Sequence, residues 1–221
     1  VKYLEGRWMP ADRAIYFEWS PARHLIDQPG QQHTPTHLGF DVGDQSAVIW
    51  VQETDRVMDA GGRWIRGRGL HVVDEWMPDQ MSVAEIMRAV RERGWRLGAE
   101  SVVCVDPKTR RDELAAIRAE LPHVSIVKKR AGKDKAERVE YGHACVNVAL
   151  KGADGVTRLT VHRGIGNHAR GLVNSLPRYR RKPSGQPHRD DTVDHVADAL
   201  RYAVAHLAPL ARGGHVLLAG R

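Results

Sequence analysis

Three groups of acidic residues stand at positions from which they could act together. Asp41 lies in an alternating stretch, on the face opposite Leu38 and Phe40, with a glycine two residues away on each side. Asp106 directly follows the short apolar run Ser101–Val105. A third group shares one face of a predicted helix, because its members are spaced i, i+3, i+4 and i+7. These are Asp191, Asp194, His195 and Asp198.

Clustered carboxylates favour one kind of chemistry. Like charges raise one another's pKa, and a hard divalent cation relieves that repulsion. Mg²⁺ prefers oxygen ligands, whereas Mn²⁺ also accepts an imidazole nitrogen. Two such ions about 3.5–4 Å apart can hold the attacking and leaving oxygens of an in-line phosphoryl displacement. If the three groups converge, they therefore indicate a metal-dependent nuclease.

The last helix also has a simpler interpretation. An acidic face opposite the apolar side chains of Val196 and Leu200 is typical of a solvated surface, with Asp190 or Asp191 as the N-cap. However, the acidic face continues into Tyr202 and Ala205 without further charge, which favours burial with the polar end at the mouth of a cleft. The pattern of this helix leaves both interpretations open.

The elements that would position these groups alternate between strands and helices. Three strands come first and are followed by helices and further strands, which predicts an α/β fold with a mixed sheet. Asp106 then lies at the carboxyl end of a buried strand, where such sheets bind ligands, and Asp41 is its neighbour if the first and fourth strands are adjacent. The predicted strands are Leu38–Val42, Ala47–Gln52, Leu70–Trp76, Ser101–Val105 and His123–Val127. The predicted helices follow Ser82 and cover Arg111–Glu120, Asp134–Leu150, Gly166–Leu176 and Asp191–Leu207.

The charge of the chain points to a polyanionic partner. Its 221 residues contain 34 Lys and Arg against 27 Asp and Glu, so the net charge is +7. A basic domain is typical of nucleic-acid binding, although the same charge can serve solubility alone. Two basic runs are candidates for phosphate contacts, or otherwise solvated loops. They consist of Lys128, Lys129 and Arg130, and of Arg180, Arg181 and Lys182.

The sequence lacks the motifs that are typical of several other classes of protein. Cys104 and Cys145 lack paired spacing, which excludes a disulfide scaffold or a cysteine-rich zinc module and favours a reducing compartment. The chain contains no GxxxxGK[ST], GxSxG, HExxH or CxxC motif. No apolar run approaches the about 18 residues of a membrane span.

Three segments together resemble the nuclease domain of phage terminase large subunits. They are His37–Gly43, Val103–Asp106 and Asp194–Tyr202, the last reading DHVADALRY and being the most specific. The opening Tyr3–Trp8 also resembles the segment that follows the packaging ATPase domain in that family. The resemblance extends in order over about the whole chain.

The resemblance implies an RNase H-like fold, with three antiparallel strands followed by parallel strands and helices on both faces. It also implies an endonuclease that cleaves concatemeric viral DNA during packaging with little sequence specificity, using two divalent cations, Mg²⁺ or Mn²⁺. Matched by position, Asp41, Asp106 and Asp198 are the catalytic, metal-binding carboxylates. His195 is a further metal ligand, and Asp194 is an alternative helper.

The same resemblance predicts the organisation and the surroundings of the chain. Residues 1–36 are expected to be an arm from a preceding ATPase domain, 37–210 the nuclease domain and 211–221 a tail. Expected partners are double-stranded DNA and, in the full-length protein, the ATPase domain, the small terminase subunit and the portal. The expected location is the cytoplasm of the infected bacterial host, with no membrane. Two alternatives stay open: a junction resolvase or transposase-like nuclease of the same fold, and an inactive DNA-binding module.

Overall fold

The computed structural model describes residues 3–4, 7–8, 13–43, 45–128, 134–166, 168–185, 187–188 and 193–210. The strands are β1 (Tyr3–Leu4), β2 (Arg7–Trp8), β3 (Leu25–Ile26), β4 (Thr36–Asp41), β5 (Ala47–Met58), β6 (Trp64–Trp76), β7 (Val102–Val105), β8 (Ser125–Lys128) and β9 (Leu159–His162). The helices are α1 (Pro21–His24), α2 (Val83–Glu92), α3 (Arg111–Glu120), α4 (Lys135–Leu150), α5 (Leu172–Ser175) and α6 (Asp194–Leu207).

Seven strands form one mixed sheet in the order β3-β9-β6-β5-β4-β7-β8. Strands β4, β5 and β6 are antiparallel neighbours, and β7 joins β4 in parallel with Phe40 opposite Val105. Strand β8 then extends the sheet parallel to β7. The predicted mixed sheet is confirmed, and so is the adjacency of the strands that carry Asp41 and Asp106.

The helices cover both faces of this sheet, as expected. On one face, α2 and α3 pack over β4, β5 and β7 in an apolar core that includes Phe40 and Trp50. On the other, α4, α5 and α6 pack over the centre of the sheet. The helix predicted after Ser82 begins with a capping box: Glu85 N donates to the Ser82 hydroxyl and Ser82 N donates to the Glu85 carboxylate.

Three elements, β5, β6 and α5, differ from their predicted lengths. Strands β5 and β6 continue beyond the predicted ends into a largely exposed two-stranded ribbon, and Gly67 and Gly69 lie within β6. The helix predicted over Gly166–Leu176 is reduced to α5. Gly166 has a φ of +73°, which a right-handed helix does not accept, so the helix starts only after this turn.

The segment expected to be an irregular arm packs on the domain from residue 14 onward. Ile15 and Tyr16 are buried in the core beneath α4 and α6, and β3 is an edge strand beside β9. Prolines interrupt the segment and obscure any apolar period in the sequence, although Ile15 and Tyr16 are buried. The boundary at residue 37 stays a prediction, and the predicted tail 211–221 lies outside the described residues.

In the part of the chain that the structure describes, no helix is both long enough and apolar enough to cross a membrane.

Candidate active site

Two neighbouring strands deliver Asp41 and Asp106 to the same edge of the sheet. Asp41 is the last residue of β4, and Asp106 follows the last residue of β7. Because the two strands are parallel, and Phe40 is paired with Val105, the next residue of each emerges at the same edge. The alternation of β4 turns Gly39 and Asp41 away from the face on which Phe40 is buried.

Helix α6 brings the third carboxylate to this edge through a close approach to β4. A Cβ atom on Gly39 would lie only 2.1 Å from the carbonyl oxygen of Ala199, so only glycine permits this contact. The neighbouring Asp198 is thereby held over the end of the strand. Most of α6 is buried, including Asp194, which is 7% exposed. A solvated acidic face is therefore the wrong interpretation of this helix.

The start of α6 also differs from the sequence expectation. Its N-cap is Val193, which makes no side-chain cap hydrogen bond, and the predicted caps Asp190 and Asp191 lie outside the described residues.

All five predicted site residues line one open cleft of about 760 Å³. Asp41, Asp106, Asp194, His195 and Asp198 share it with two further acids, Asp112 and Glu113, and with the cations Lys108 and Arg110. The cleft therefore has six carboxylates against two cations on its wall, in a chain that is basic overall.

Each of the three central carboxylates is bound by a different side chain of α6. His195 Nδ1 lies 2.8 Å from Asp41 Oδ2, and the Tyr202 hydroxyl donates to Asp106 Oδ2 at 2.7 Å. Arg201 Nε donates to Asp198 Oδ1 at 3.0 Å, and Arg201 Nη2 lies 3.0 Å from the same oxygen in an ion pair. The helix thus supplies one carboxylate of the site and a partner for every one of them.

The electrostatics of the site follow from its burial. Desolvation, with a contribution from Asp198, raises the pKa of Asp41 to about 6, against the opposing hydrogen bond of His195. Burial by itself would lower the pKa of Arg201, but the Asp198 carboxylate raises it well above its ordinary value. Burial and then Asp198 raise the pKa of Tyr202 well above its normal range, so its hydroxyl stays a donor.

The donor set suits a hard divalent cation by type, since it offers carboxylate oxygens and one imidazole. The pKa of Asp41 is raised mainly by its burial and to a smaller extent by the neighbouring Asp198 carboxylate. Yet across the described ranges no three His, Cys, Asp or Glu side chains are arranged to hold a metal ion together. Each of the three central carboxylates contacts its own partner on α6. His195 contacts Asp41, and its Nε2 lies 3.8 Å from Asp194 Oδ1.

The two predicted basic runs divide into engaged and exposed residues. Arg181 forms a two-pronged ion pair with Glu140, and Lys128 Nζ donates to the Thr109 carbonyl oxygen. Arg180 and Lys182 flank Arg181 in the same run, and both are exposed. Lys129 and Arg130 lie outside the described residues. DNA contact by either run stays a prediction.

Four residues in or beside the cleft were not predicted as site residues from the sequence. Arg201 and Tyr202 could have been found from helix periodicity, because they follow Asp198 at i+3 and i+4 on the same face. Lys108 and Arg110 follow Asp106 in the loop before α3, and only the folded path of that loop places them on the cleft.

The comparison with solved structures identifies the fold. The nuclease domain of the phage P22 large terminase has a TM-score of 0.57 and 16% identity, over 86% of this chain and 90% of that one. The nuclease of the large terminase from thermophilic phage G20c with bound magnesium has a TM-score of 0.54 and 13% identity, over 89% of this chain and 99% of that one. A further structure of the G20c nuclease contains bound cobalt.

A large terminase from another thermophilic bacteriophage is longer than this chain. Its TM-score is 0.58 with 15% identity, and the match covers 92% of this chain but only 47% of that protein. No protein-family model and no curated protein matches the sequence. The chain thus has the RNase H-like fold of large-terminase nuclease domains, and the resemblance predicted from three short segments is confirmed in the fold.

Proposed function

We propose that this chain is a divalent-metal-dependent DNA endonuclease that cleaves concatemeric viral DNA during genome packaging, with little sequence specificity. One observation carries the proposal: Asp41, Asp106 and Asp198, which are far apart in sequence, line one cleft in a fold shared with large-terminase nuclease domains. Magnesium and cobalt bound to the G20c nuclease support the use of divalent cations.

The carboxylates of the cleft would hold the metal. Asp41, Asp106 and Asp198 are the proposed ligands for two Mg²⁺ or Mn²⁺ ions, with His195 as a further ligand and Asp194 as a helper. Bound metal supplies an activated water and charge stabilisation for the leaving oxygen of a phosphodiester. The acidic wall of the cleft attracts these cations, and the fixed positions of β4 and β7 hold two of the ligands on rigid elements.

Cations at the edge of the cleft would bind the DNA backbone. Lys108 and Arg110 line the cleft beside Asp106 and are suited to phosphates flanking the scissile bond. Arg180 and Lys182 would extend the contact beyond it. Phosphate contacts carry little sequence information, in keeping with weak sequence preference.

The proposed context is that of a large terminase. Residues 1–36 would connect to an ATPase domain, 37–210 would be the nuclease and 211–221 a tail. The full-length protein would act with the small terminase subunit and the portal on double-stranded DNA, in the cytoplasm of the infected bacterial host. The match to the longer large terminase, of which this chain spans about half, supports such an arrangement.

A plasmid cleavage assay tests the activity. Supercoiled plasmid incubated with the chain is expected to be nicked and linearised in Mn²⁺ or Mg²⁺ and to stay intact in chelator. Asp106→Asn should abolish cleavage without changing the circular dichroism spectrum, whereas Asp112→Asn, on the same cleft, should keep it. Cleavage in chelator or by Asp106→Asn would contradict the proposal. Preference for a four-way junction over linear duplex would favour a resolvase instead, and metal-independent DNA binding without cleavage would favour an inactive module.

A further inference from the structure

The residues that follow Asp198 by three and four positions hold two of the candidate metal ligands. Arg201 contacts Asp198, and Tyr202 contacts Asp106, which belongs to a different element. Both side chains belong to buried residues, at 7% and 5% exposed. We propose that Arg201 and Tyr202 are positioning residues that fix these carboxylates for metal binding. This inference rests on the proposed function.

Asp106 is held from both sides. Its Oδ1 accepts from the Lys108 backbone N at 2.6 Å, within its own loop, and its Oδ2 accepts from the Tyr202 hydroxyl at 2.7 Å. A carboxylate oxygen has two lone pairs, so each oxygen keeps one for a cation after accepting one hydrogen bond. The Lys108 contact anchors the carboxylate locally, and Tyr202 fixes its rotation relative to α6.

Arg201 holds Asp198 at its Oδ1. The Nε and Nη2 atoms of Arg201 both lie 3.0 Å from this oxygen. The Arg201 guanidinium also lies 4.5 Å from the centre of the Tyr202 ring, so the two positioning side chains support each other. A buried guanidinium without a carboxylate is costly, so this pairing restricts both Arg201 and Asp198.

The neighbouring helix α4 has a glycine, Gly142, where the Arg201 side chain packs against it. A Cβ atom on Gly142 would lie 2.6 Å from Arg201 Cγ and 2.8 Å from Cδ. Gly142 therefore provides the space in which the arginine reaches Asp198. This contact offers a second way to displace Arg201 without altering a ligand.

The direct test is the affinity for Mn²⁺ alone, measured from the electron paramagnetic resonance signal of free Mn²⁺ at fixed pH. Tyr202→Phe removes the hydroxyl and keeps the ring. Loss of an outer hydrogen-bond partner of a metal ligand typically weakens binding about 10–100-fold, and we expect a weakening of about 10-fold here. The melting temperature in chelator should change little. Cleavage should recover as Mn²⁺ is raised, since the ligands themselves are intact.

A matched control uses Tyr141→Phe. Tyr141 lies with Tyr202 on a small pocket of about 50 Å³, but its hydroxyl is directed to Cys145 and the Leu210 backbone. This variant should bind Mn²⁺ like the unmodified protein. Gly142→Ala should also weaken Mn²⁺ binding, because Arg201 must move.

The outcomes separate the two proposals. If the unmodified protein binds Mn²⁺ and cleaves DNA, and Asp106→Asn loses both, the proposed function stands. Unchanged Mn²⁺ affinity in Tyr202→Phe would then overturn the positioning role, as would an equal loss in Tyr141→Phe. If the unmodified protein neither binds Mn²⁺ nor cleaves, the proposed function fails, and the positioning role fails with it.

Discussion

The two faces of strand β4 differ in what they bury. Phe40 belongs to an apolar core with α2 and α3, formed by aliphatic and aromatic side chains. One residue along the chain on either side, Gly39 and Asp41 face α6, where an arginine, two tyrosines, a histidine and two aspartates are buried or half-buried. They are Arg201, Tyr202, Tyr16, His143, Asp194 and Asp198.

The contrast shows that one face of β4 contributes mainly to stability, whereas the other positions the polar groups of the site. Apolar burial is worth about 25 cal/mol per Å² and is non-directional, so the α2/α3 face contributes stability through close packing rather than through specific polar pairs. Buried charges instead require partners, and on the α6 face these are the pairs that hold the carboxylates. His143 is the exception on this face: both of its ring nitrogens lack a hydrogen-bond partner within the described residues, and burial lowers its pKa and so favours the neutral ring.

The largest expected effect on stability lies on the apolar face. Phe40 is fully buried, so Phe40→Ala should reduce the free energy of unfolding by about 3–5 kcal/mol, through lost burial and a cavity. Urea denaturation at 25 °C measures this change. At temperatures where the variant stays folded, its response to Mn²⁺ should match that of the unmodified protein. A selective loss of that response would break the division between the two faces.

The next effect concerns the contact between β4 and α6. Gly39→Ala places a methyl group against the Ala199 carbonyl, so overpacking should cost about 1–3 kcal/mol and move Asp198 away from the cleft. Cleavage and Mn²⁺ binding should fall even while the protein is folded. Gly43→Ala is the control, because its nearest neighbour beyond the adjacent residues would be 4.0 Å away. Equal behaviour of both variants in urea denaturation and Mn²⁺ binding would contradict this account.

Asp41→Asn should increase the stability of the folded protein, whereas Phe40→Ala and Gly39→Ala should decrease it. The pKa of Asp41 is raised in the folded protein to about 6, so at pH 7.5 the ionised carboxylate costs stability that a neutral amide avoids. We expect a gain of about 1–2 kcal/mol in chelator, since each unit of pKa shift corresponds to about 1.4 kcal/mol and the His195 contact is lost.

Adding metal should stabilise the unmodified protein more than the Asp41→Asn variant. Metal at 100 times its dissociation constant should stabilise the unmodified protein by about 2.7 kcal/mol, and the variant by less. Thermal melts of both proteins, each in chelator and in Mn²⁺, provide the measurement. Identical Mn²⁺ shifts would show that Asp41 is outside the metal site.

The smallest effect concerns DNA binding at the edge of the cleft. Removing one phosphate contact should reduce the slope of log affinity against log salt by about 0.9. We expect this for Lys108→Gln, which lines the cleft, and for Arg180→Gln, which is exposed beyond it. Arg181→Gln should instead lower stability, because Arg181 is paired with Glu140. Fluorescence anisotropy with a short duplex at several salt concentrations distinguishes these cases.

Much of the fold could be read from local pattern. The alternation around Phe40, the capping box at Ser82 and the apolar run before Asp106 are short-range signals, and each is present in the structure. Short-range patterns could not predict the ribbon of β5 and β6 or the packing of residues 14–36. Their residues are exposed or separated by prolines, so their conformation depends on pairing with distant strands rather than on local period.

The sequence by itself determined which residues could do chemistry, because residue type and helix or strand spacing are local properties. Asp41, Asp106 and the Asp194–Asp198 face were identifiable without a structure. Only the tertiary structure decided that these groups share a cleft, that Arg181 is tied to Glu140, and that Tyr202 reaches across to Asp106. The residues brought together in this way are far apart in the chain. Glu140 and Arg181 are separated by 41 positions, and Asp41 and Asp198 by 157 positions. These contacts exist because β4 and β7 pair in parallel and because Gly39 lets the backbone of α6 approach the sheet.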